Sequence, residues 1–518
     1  MPPITRRAFL TGATLTGITA SALVLAGCAP TTPTPSPSPT HTGPTSWTAL
    51  GAAVTGTLLR PDSGDYATAR LTENPRFDDA MPLGILQAAS ALDVAAGLAF
   101  ARNTGTPLAV RAGGHNYAGW SAGGATGTDV KPSLVISTAA LDGIALAADG
   151  TTATIGPGAP LALVYETLGA KGRAIGAGSC GTVAIGGLTL GGGVGVLSRS
   201  FGLTCDQLTG VEIVTADGVV HDASASSDTD LFWACRGGGG GSVGIVTSMT
   251  FTTQPAPDIT MFFVQWPWTD ALQVVSAWQN WMPGADDRVW STLKLLAGSD
   301  HTAGPIVALS GTWTGPEGDF AAQLAGLLQN VSAAPLANTA TRHTYSDAML
   351  RYAGCAGEPA SACTTGPGGV LKRVSESAAS AMAYDDLDSA AIAALLAQVS
   401  GASGVAGLTE GGISLDALGG AVAKIGPADT AFPHRKARYT VQYTATFANG
   451  AATVPFDGYV RGFRKTMSSS WGEGAYVNYT DPSLTAPGTS YFAGNLARLR
   501  SIKKKVDPTT LFHQPHFL

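Results

Sequence analysis

Charged residues are scarce in this chain. Asp, Glu, Lys and Arg together make up 13% of its 518 residues, against a usual value of about 25%. The formal charge is −6. Lys503 to Lys505 is a short basic run inside an amphipathic pattern, and we interpret it as a solvated helix face. Basic residues do not alternate with aromatic residues to form a stripe, so the sequence gives no support to nucleic-acid binding.

The usual nucleotide-binding motifs are also missing. The chain has no P-loop Lys-Ser/Thr pair, and the glycines from Gly191 to Gly195 lack the G-x-G-x-x-G spacing of a dinucleotide fingerprint. No internal repeat is evident. These absences disfavour P-loop enzymes, Rossmann-type dehydrogenases and repeat architectures.

Cysteine is limited to six residues, and we assign no metal site. Cys355 and Cys363 close a short loop rich in Gly and Ala; a disulfide formed outside the cytoplasm and two free thiols both remain open. Cys205 and Cys235 are interpreted as buried thiols. Cys28 and Cys180 lie in motifs of their own, described below.

The N-terminal residues carry an export pattern. Thr5-Arg6-Arg7-Ala8-Phe9-Leu10 is a twin-arginine motif, and the apolar stretch after it is barely long enough to span a bilayer. We therefore favour a twin-arginine lipoprotein signal peptide over residues 1–27 rather than a permanent transmembrane helix. Leu25-Ala26-Gly27-Cys28 resembles a lipobox, and residues 28–46 are rich in Pro, Thr and Ser, as in an extended tether. We expect an extracytoplasmic protein that meets the membrane only through a lipid anchor at Cys28.

The rest of the chain predicts an α+β fold in two parts. Residues 47–256 combine short strands, helices and glycine-rich turns suited to cradling a ligand. Residues 257–470 form a second α+β region, and residues 471–518 end in a helix stopped by Asp507-Pro508 that we expect to return to the first region. The periodicity predicts helices at 85–103, 160–168, 269–282, 318–331 and 387–400, strands at 108–111, 134–137, 152–155, 260–266 and 439–447, and a hairpin at 211–221.

Three glycine-rich clusters hold the candidate chemistry. The first runs from Arg111 to Gly119 and includes Gly113-Gly114-His115-Asn116-Tyr117; two adjacent glycines after a strand let backbone N–H groups approach a diphosphate closely. The second runs from Gly176 to Gly195 and contains Cys180, and the third runs from Leu231 to Val246, with its glycines beginning at Gly237. Each cluster alone is consistent with tight backbone packing and no catalytic role.

Together, the order and spacing of these clusters resemble the berberine bridge enzyme-like family of FAD-linked oxidases, in the vanillyl-alcohol-oxidase superfamily. The resemblance runs from about residue 75 to the C-terminus. It includes Phe432-Pro433-His434-Arg435, Tyr476-Val477-Asn478-Tyr479-Thr480-Asp481 and the closing Asn495-Leu496 to Phe512. It implies a two-part PCMH-type FAD-binding domain, completed by the C-terminal segment, and a substrate domain built on an antiparallel sheet with covering helices.

The resemblance implies FAD held by two covalent bonds. His115 occupies the position that bonds to the flavin 8α carbon, and Cys180 the position that bonds to flavin C6. An imidazole nitrogen or a thiolate can add to an electron-poor isoalloxazine. Gly181 departs from the family pattern, because many relatives have proline there. The other implied cofactor-binding residues are Arg111, Ala112, Gly113, Gly114, Thr182, Val183, Gly186, Gly187, Val246, Tyr476 and Asn478.

The resemblance also implies catalytic roles. Tyr479, the second tyrosine of Y-x-N-Y, matches the family's base, and Asp416 matches the aspartate that takes or orients its proton. Tyr117 matches a tyrosine near flavin and substrate. Plant relatives often carry glutamate where this chain has Thr440, so a mechanism that needs that glutamate is disfavoured. Val183 resembles members that admit O2 to the reduced flavin.

These features predict an FAD-linked oxidase of a sugar, oligosaccharide or glycosylated alcohol, with O2 as the acceptor. Twin-arginine export carries folded proteins, which suits an enzyme that acquires its cofactor in the cytoplasm. Two alternatives remain: a dehydrogenase that passes electrons to a quinone or protein, and a surface binding protein without turnover. The joint presence of His115, Cys180, Tyr117 and Tyr479 disfavours the binding protein.

Overall fold

A computed structural model describes residues 43–513 of the chain. The proposed signal peptide, Cys28 and most of the proposed tether lie outside the described residues. Within 43–513, no helix combines the length and apolar character needed to cross a membrane. The first helix begins at Trp47, where the Ser46 side chain accepts a hydrogen bond from the Ala49 N–H and so caps the helix N-terminus.

The first sheet has the strand order β1-β2-β4-β3, with β1 antiparallel and the other pairs parallel. Helix α3 packs on it, begins at the Ser90 N-cap and ends at Gly105, which adopts a left-handed conformation. The elements are α1 (Trp47–Ala53), β1 (Thr57–Leu59), α2 (Tyr66–Ala69), β2 (Gly84–Gln87), α3 (Ala91–Thr104), β3 (Leu108–Arg111) and β4 (Leu134–Ser137).

The second sheet is antiparallel and has the order β5-β6-β10-β8-β9, and β7 pairs separately with β11. Its loops carry the second and third glycine-rich clusters. The elements are β5 (Ile144–Leu146), β6 (Thr152–Ile155), α4 (Leu161–Gly169), β7 (Arg173–Ala174), α5 (Ile185–Leu190), α6 (Ser198–Phe201), β8 (Leu208–Val214), β9 (Val220–Ser224), α7 (Thr229–Ala234), β10 (Ile245–Thr252) and β11 (Gln254–Pro255).

The third sheet is antiparallel throughout and has the order β15-β12-β14-β13-β17-β18-β16. Its elements are β12 (Ile259–Trp266), α8 (Ala271–Trp281), β13 (Val289–Ala297), β14 (Ile306–Trp313), α9 (Phe320–Leu328), β15 (Ala337–His343), α10 (Tyr345–Tyr352), β16 (Ser375–Ala383), α11 (Ser389–Gly401), β17 (Leu408–Ala417), β18 (Tyr439–Phe447) and α12 (Val454–Trp471).

Alternation along β18 gives this sheet two different faces. Tyr439, Tyr443 and Phe447 point toward α8 and α12, where Tyr443 packs on Phe463 with ring centroids 5.1 Å apart. The polar residues between them, Gln442 among them, line a cavity on the opposite face. Helices therefore cover one face of the sheet and leave the other face for a ligand.

The C-terminal segment contains α13 (Pro487–Phe492) and α14 (Leu496–Val506), and α14 packs on α7 of the FAD-binding region. Phe512 joins a buried cluster with Leu98 and Ile245. Lys503 donates hydrogen bonds from Nζ to the Ser242 carbonyl (2.8 Å) and to Asp507 (2.6 Å). These contacts return the end of the chain to the FAD-binding region.

Two expectations from the sequence are wrong. The segment predicted as one helix over 85–103 holds strand β2 (Gly84–Gln87) and then helix α3, which begins only at Ala91. Lys503 does not face solvent, because it is buried against the Asp507 carboxylate. Its neighbours Lys504 and Lys505 are both exposed, as the sequence predicted.

Candidate active site

A cavity of about 720 Å³ lies between the glycine-rich loops and the polar face of the third sheet. Its walls come from segments distant in sequence: the His115 loop, the Cys180 loop, the 239–246 loop, strands β13, β14, β16, β17 and β18, and residues 476–480. The three glycine-rich clusters and the segments with the predicted catalytic residues therefore line the same cavity.

The His115 loop is held by its own backbone and by Asn116. Gly114 has a φ of 76°, a left-handed conformation that favours glycine. The Asn116 side chain accepts hydrogen bonds from the N–H groups of Ala118 and Trp120. Glu73 donates its backbone N–H to the Gly114 carbonyl. The turn therefore fixes where the imidazole of His115 enters the cavity.

The His115 ring is neutral. Burial lowers its pKa to about 4, so the imidazole keeps a free lone pair at neutral pH. Its Nε2 is buried and has no hydrogen-bond partner among the described residues, and the nearest charge is Glu73 Oε2 at 3.9 Å. An uncharged imidazole is the form that can act as a nucleophile.

The Cys180 loop is clamped to the start of α4. Leu161 donates its N–H to the Val183 carbonyl (2.9 Å) and Ala162 to the Gly181 carbonyl (3.0 Å). The thiol of Cys180 is free and opens into the cavity. Burial raises its pKa, the charge of Glu376 raises it further, and the ammonium of Lys294 lowers it.

Gly181 has a structural reason to lack a side chain. Cys355 and Cys363 form a disulfide, and a Cβ added at Gly181 would lie 2.7 Å from Cys363 Sγ. A proline ring would place its Cβ in the same position. The departure from the family pattern therefore accompanies the disulfide, which packs directly against the Cys180 loop.

Three tyrosine rings form the wall next to these two loops. Tyr117 and Tyr479 are stacked, with centroids 5.5 Å apart and planes 8° from parallel, and Tyr476 meets Tyr479 edge to face at 4.9 Å. Gln442 donates a hydrogen bond to the Tyr117 hydroxyl (2.7 Å). The Tyr476 hydroxyl accepts hydrogen bonds from the N–H of Gly193 and from Asn478 Nδ2.

Asp416 lies on β17 next to Tyr479. In the sheet it is in register with Thr292 on one side and Thr440 on the other. Burial raises the pKa of the Asp416 carboxyl, while polar interactions with Thr292, Thr440 and Tyr479 and the charge of Lys294 oppose that rise. Burial and the negative charge of Asp416 keep the pKa of Tyr479 well above that of free phenol.

The cavity brings together all but one of the predicted site residues. Those that line it are Ala112, Gly113, Gly114, His115, Tyr117, Cys180, Thr182, Val183, Gly186, Gly187, Val246, Asp416, Tyr476, Asn478 and Tyr479. Arg111 is the exception: its buried guanidinium donates to the carbonyls of Ala69 and Arg70, so its side chain supports the loop rather than contacting a ligand.

Several cavity residues were missed by the sequence reasoning. Lys294, Gln442, Glu376 and Glu73 all line the cavity, and burial raises the pKa of Glu376 to about 7. The polar alternation Thr440, Gln442, Thr444, Thr446 in β18 was a usable signal, because alternating residues of a strand share one face.

The residues present fit a flavin dinucleotide. The His115 ring supplies a buried nitrogen without a partner, and Cys180 supplies a free sulfur in the same cavity. Between them the two loops touch: a Cβ on Gly113 would lie 2.6 Å from the Ala184 backbone nitrogen. Such side-chain-free backbone is what close approach to a diphosphate requires.

Comparisons with known proteins agree with this fit. Residues 82–224 match a family model described as FAD binding domain, and residues 475–516 match one described as berberine and berberine like. The chain is 30% identical over 463 residues to the FAD-linked oxidoreductase YgaK of Bacillus subtilis. This match covers 89% of this chain and 96% of that protein.

Two oligosaccharide oxidases are also similar. The chitooligosaccharide oxidase of Gibberella zeae is 29% identical over 461 residues, covering 84% of this chain and 86% of that protein, and a solved chitooligosaccharide oxidase matches with a TM-score of 0.80, 27% identity and coverage of 91% and 98%. The glucooligosaccharide oxidase of Acremonium strictum matches with a TM-score of 0.79, 26% identity and coverage of 89% and 95%.

These matches confirm the PCMH-type α+β architecture that the sequence motifs predicted. Within that architecture, the cavity holds the free thiol of Cys180 and the neutral imidazole of His115. The chain belongs to the berberine bridge enzyme-like family of FAD-linked oxidases and is an FAD-dependent oxidoreductase.

Proposed function

We propose that this protein is an oxidase of a sugar or oligosaccharide hydroxyl, with FAD linked to both His115 and Cys180. The observation that carries the proposal is the placement of Tyr479 beside Asp416 in the cavity that also holds His115 and Cys180. The names of the chitooligosaccharide and glucooligosaccharide oxidases support a sugar substrate. The glucooligosaccharide oxidase is described as having a novel flavinylation, which supports covalent attachment.

The chain's own residues supply the proton path. The Asp416 carboxylate accepts the Tyr479 hydroxyl proton, and the Tyr479 oxygen accepts the proton of the substrate hydroxyl. Without Asp416 a phenol is a poor base near neutral pH. FAD bound in the cavity supplies the acceptor for the hydride that leaves the substrate carbon, and O2 then takes the electrons and yields H2O2.

The other tyrosines hold this base in place. Tyr117 stacks on Tyr479, and its hydroxyl is fixed by Gln442 Nε2. Tyr476 is anchored through its hydroxyl to the backbone of Gly193 and Val194. Because the neighbouring rings are fixed, the Tyr479 oxygen has little conformational freedom. Less conformational entropy is therefore lost when the substrate binds.

Covalent attachment is tested by acid precipitation of the purified protein. Flavin should stay in the pellet of native protein, and in the pellets of His115→Ala and Cys180→Ala, because each variant keeps one bond. The double variant should release its flavin into the supernatant. A colourless pellet from the native protein would contradict covalent attachment.

The reaction is tested by anaerobic bleaching of the bound flavin with mono- and oligosaccharides, with secondary alcohols as controls. H2O2 release in air should match substrate oxidation, since Val183 lines the cavity and resembles the residue of relatives that admit O2. Bleaching followed by slow reoxidation in air but fast dye reduction would identify a dehydrogenase. Failure of every sugar to bleach the flavin would reject the sugar substrate.

A further inference from the structure

Lys294 is the basic residue on the cavity face of the third sheet among the described residues. It lies on β13, two residues after Thr292, and its side chain is exposed to the cavity. The structure gives its ammonium no hydrogen bond, and no carboxylate lies within ion-pair distance of it in the part of the chain described. Because this exposed ammonium projects into the cavity without a partner, its N–H groups are free to pair with an anionic group of a ligand.

None of the acidic residues that line the cavity forms an ion pair with Lys294 in the described part of the chain, and two of them have partners elsewhere. Glu410 is held by His301 at 2.9 Å, and Glu73 accepts a hydrogen bond from Thr365 at 3.1 Å. Asp416 lies beside Tyr479, Thr292 and Thr440, and burial raises the pKa of its carboxyl. Burial and the charge of Glu73 raise the pKa of Glu376 to about 7. The cavity therefore contains a positive charge that its own carboxylates do not neutralise by contact.

Lys294 stands in a row of hydrogen-bonding groups next to the catalytic row. Across the sheet, Lys294 is in register with Ser414, and Ser414 with Gln442. The neighbouring row contains Asp416, two residues further along β17, at a spacing of about 7 Å. An ammonium, a hydroxyl and an amide in one row match the oxygens of a carboxylate.

We propose that Lys294 binds a carboxylate of the substrate, so that the preferred substrates are acidic sugars or oligosaccharides containing a uronic acid. The inference rests on the proposed oxidation of a sugar hydroxyl, and it adds that the preferred sugar carries a negative charge. The row spacing places that carboxylate about one sugar ring away from the hydroxyl that meets Tyr479. Lys294 is then a specificity-determining residue that takes no part in the proton transfer itself, although its charge opposes the rise of the Asp416 pKa.

The test compares matched acidic and neutral disaccharides with the flavin-loaded enzyme. Anaerobic bleaching is followed with digalacturonic acid and galactobiose, and with cellobiouronic acid and cellobiose, at a pH above the titration of Asp416. For at least one pair, the native enzyme should reach half-saturation at a lower concentration of the acidic sugar. Lys294→Met should raise that concentration about tenfold or more for the acidic sugar and change it little for the neutral one. Lys294→Arg should retain part of the preference.

Lys372 provides the matched control. It is an exposed lysine that also lines the cavity but stands outside the sheet, between α10 and β16. Lys372→Met should leave the preference for acidic sugars intact. If Lys372→Met weakens it as much as Lys294→Met, general attraction at the cavity mouth explains the preference and the subsite is rejected. If Lys294→Met affects acidic and neutral sugars equally, its charge serves the catalytic groups and the inference also fails.

A binding measurement separates this inference from the oxidation itself. Methyl β-D-glucuronide and methyl β-D-glucoside have no free anomeric hydroxyl, so their binding is read from the absorption change of the bound flavin. Binding of the glucuronide that is lost in Lys294→Met supports the subsite even if no sugar bleaches the flavin. Bleaching by neutral sugars, with no difference between the two methyl glycosides, overturns the subsite and leaves the proposed oxidase standing.

Discussion

The Tyr479 hydroxyl is the group on which the proposed chemistry depends most. Tyr479→Phe should lower the rate constant of anaerobic flavin reduction by about 10²- to 10⁴-fold, the usual contribution of a positioned base. Phenylalanine keeps the stack on Tyr117, so the cavity shape and the acid-stable flavin should be unchanged. Tyr352→Phe is the matched control, because Tyr352 also lines the cavity but has no role in the proton path. A native rate in Tyr479→Phe would place the base elsewhere.

In the proposed mechanism, the protonation of Asp416 sets the acid side of the pH profile. Its carboxylate must be ionised to accept a proton, and burial raises its pKa above the ordinary aspartate value. The kcat/KM for a neutral sugar should therefore fall as the pH falls through this raised pKa, and recover above it. Lys294→Met removes a positive charge that opposes the rise, so the fall should move to higher pH. Asp416→Asn should be slow at every pH, and a variant that keeps the native profile would exclude Asp416 from the path.

Among the elements, the disulfide loop supports the Cys180 loop from behind. The Cys355→Ser, Cys363→Ser double variant opens a loop with a sequence separation of 8 residues, and we expect it to lose about 2–3 kcal/mol of stability. Because Cys363 packs on Gly181, the fraction of flavin bonded to Cys180 should fall, while attachment to His115 persists. Mass spectrometry of the flavin-bearing peptides measures both fractions.

Gly181→Ala tests the same contact from the opposite side. Its Cβ would crowd Cys363, so this variant should show the same loss of attachment through Cys180 while its disulfide stays formed. Gly143→Ala is a suitable control, since Gly143 does not line the cavity and a Cβ there meets no atom within 4 Å. Native attachment in Gly181→Ala would show that the contact does not position the loop.

Helix α14 ends in a buried ion pair between Lys503 and Asp507, and Lys503 also donates a hydrogen bond to the Ser242 carbonyl of the FAD-binding region. Lys503→Met should lower the free energy of unfolding by about 3–5 kcal/mol, because Asp507 would remain buried without its partner. Lys504→Met, one position along and exposed, should change it by less than about 0.5 kcal/mol. Urea or thermal unfolding of both variants, with the flavin bound, measures the difference. Equal effects would mean that the Lys503 pair contributes no more than a surface charge.

Much of the element pattern could be predicted from the sequence. Strand β18 was placed at its observed bounds, 439–447, because a run of β-branched and aromatic residues with alternating polarity is specific to a strand. The helix predicted over 85–103 failed at its start, since the short apolar run Gly84–Gln87 fits either structure and only pairing with β4 decides it.

The burial of Lys503, in contrast, could have been predicted from the sequence. Leu499, Ile502, Lys503 and Val506 follow the i, i+3, i+4, i+7 spacing of one helix face, which placed Lys503 among buried residues. The charge of the basic run Lys503 to Lys505 favours a solvent-exposed face instead, and for Lys503 that interpretation is wrong. Lys294 carried no such signal, because neither β13 nor β17 was recognised and cross-strand neighbours become visible only once register is known.

At the scale of the whole molecule, the site exists because three sheets meet around one cavity. The first two sheets supply the loops with His115 and Cys180, and the third supplies Asp416 and Lys294. The C-terminal segment then adds Tyr479 and Tyr476. The residues proposed to bond to the cofactor and the residue proposed to select the substrate therefore lie on different sheets, an arrangement in which substrate preference could change without altering the proposed flavin attachment.

The disulfide connects the folded enzyme with its expected destination. Disulfides persist in oxidising compartments, and the twin-arginine pattern at Arg6 and Arg7 resembles signals that export folded proteins. We predict that Arg6→Lys, Arg7→Lys keeps the protein in the cytoplasm of a producing bacterium, with flavin bound and with Cys355 and Cys363 as free thiols. Cell fractionation combined with thiol labelling and mass spectrometry measures all three properties.

Cys28→Ala separates the lipid anchor from export itself. This variant should still leave the cytoplasm and form the Cys355–Cys363 disulfide, but it should appear in the soluble extracytoplasmic fraction instead of the membrane fraction, because the thiol that would carry lipid is gone. Cys205→Ala, at a buried thiol, is the control and should stay with the membrane. If Cys28→Ala remains membrane-bound, the apolar stretch before it is retained as an anchor. If the twin-arginine variant is exported with its disulfide formed, the enzyme reaches the oxidising compartment by another route.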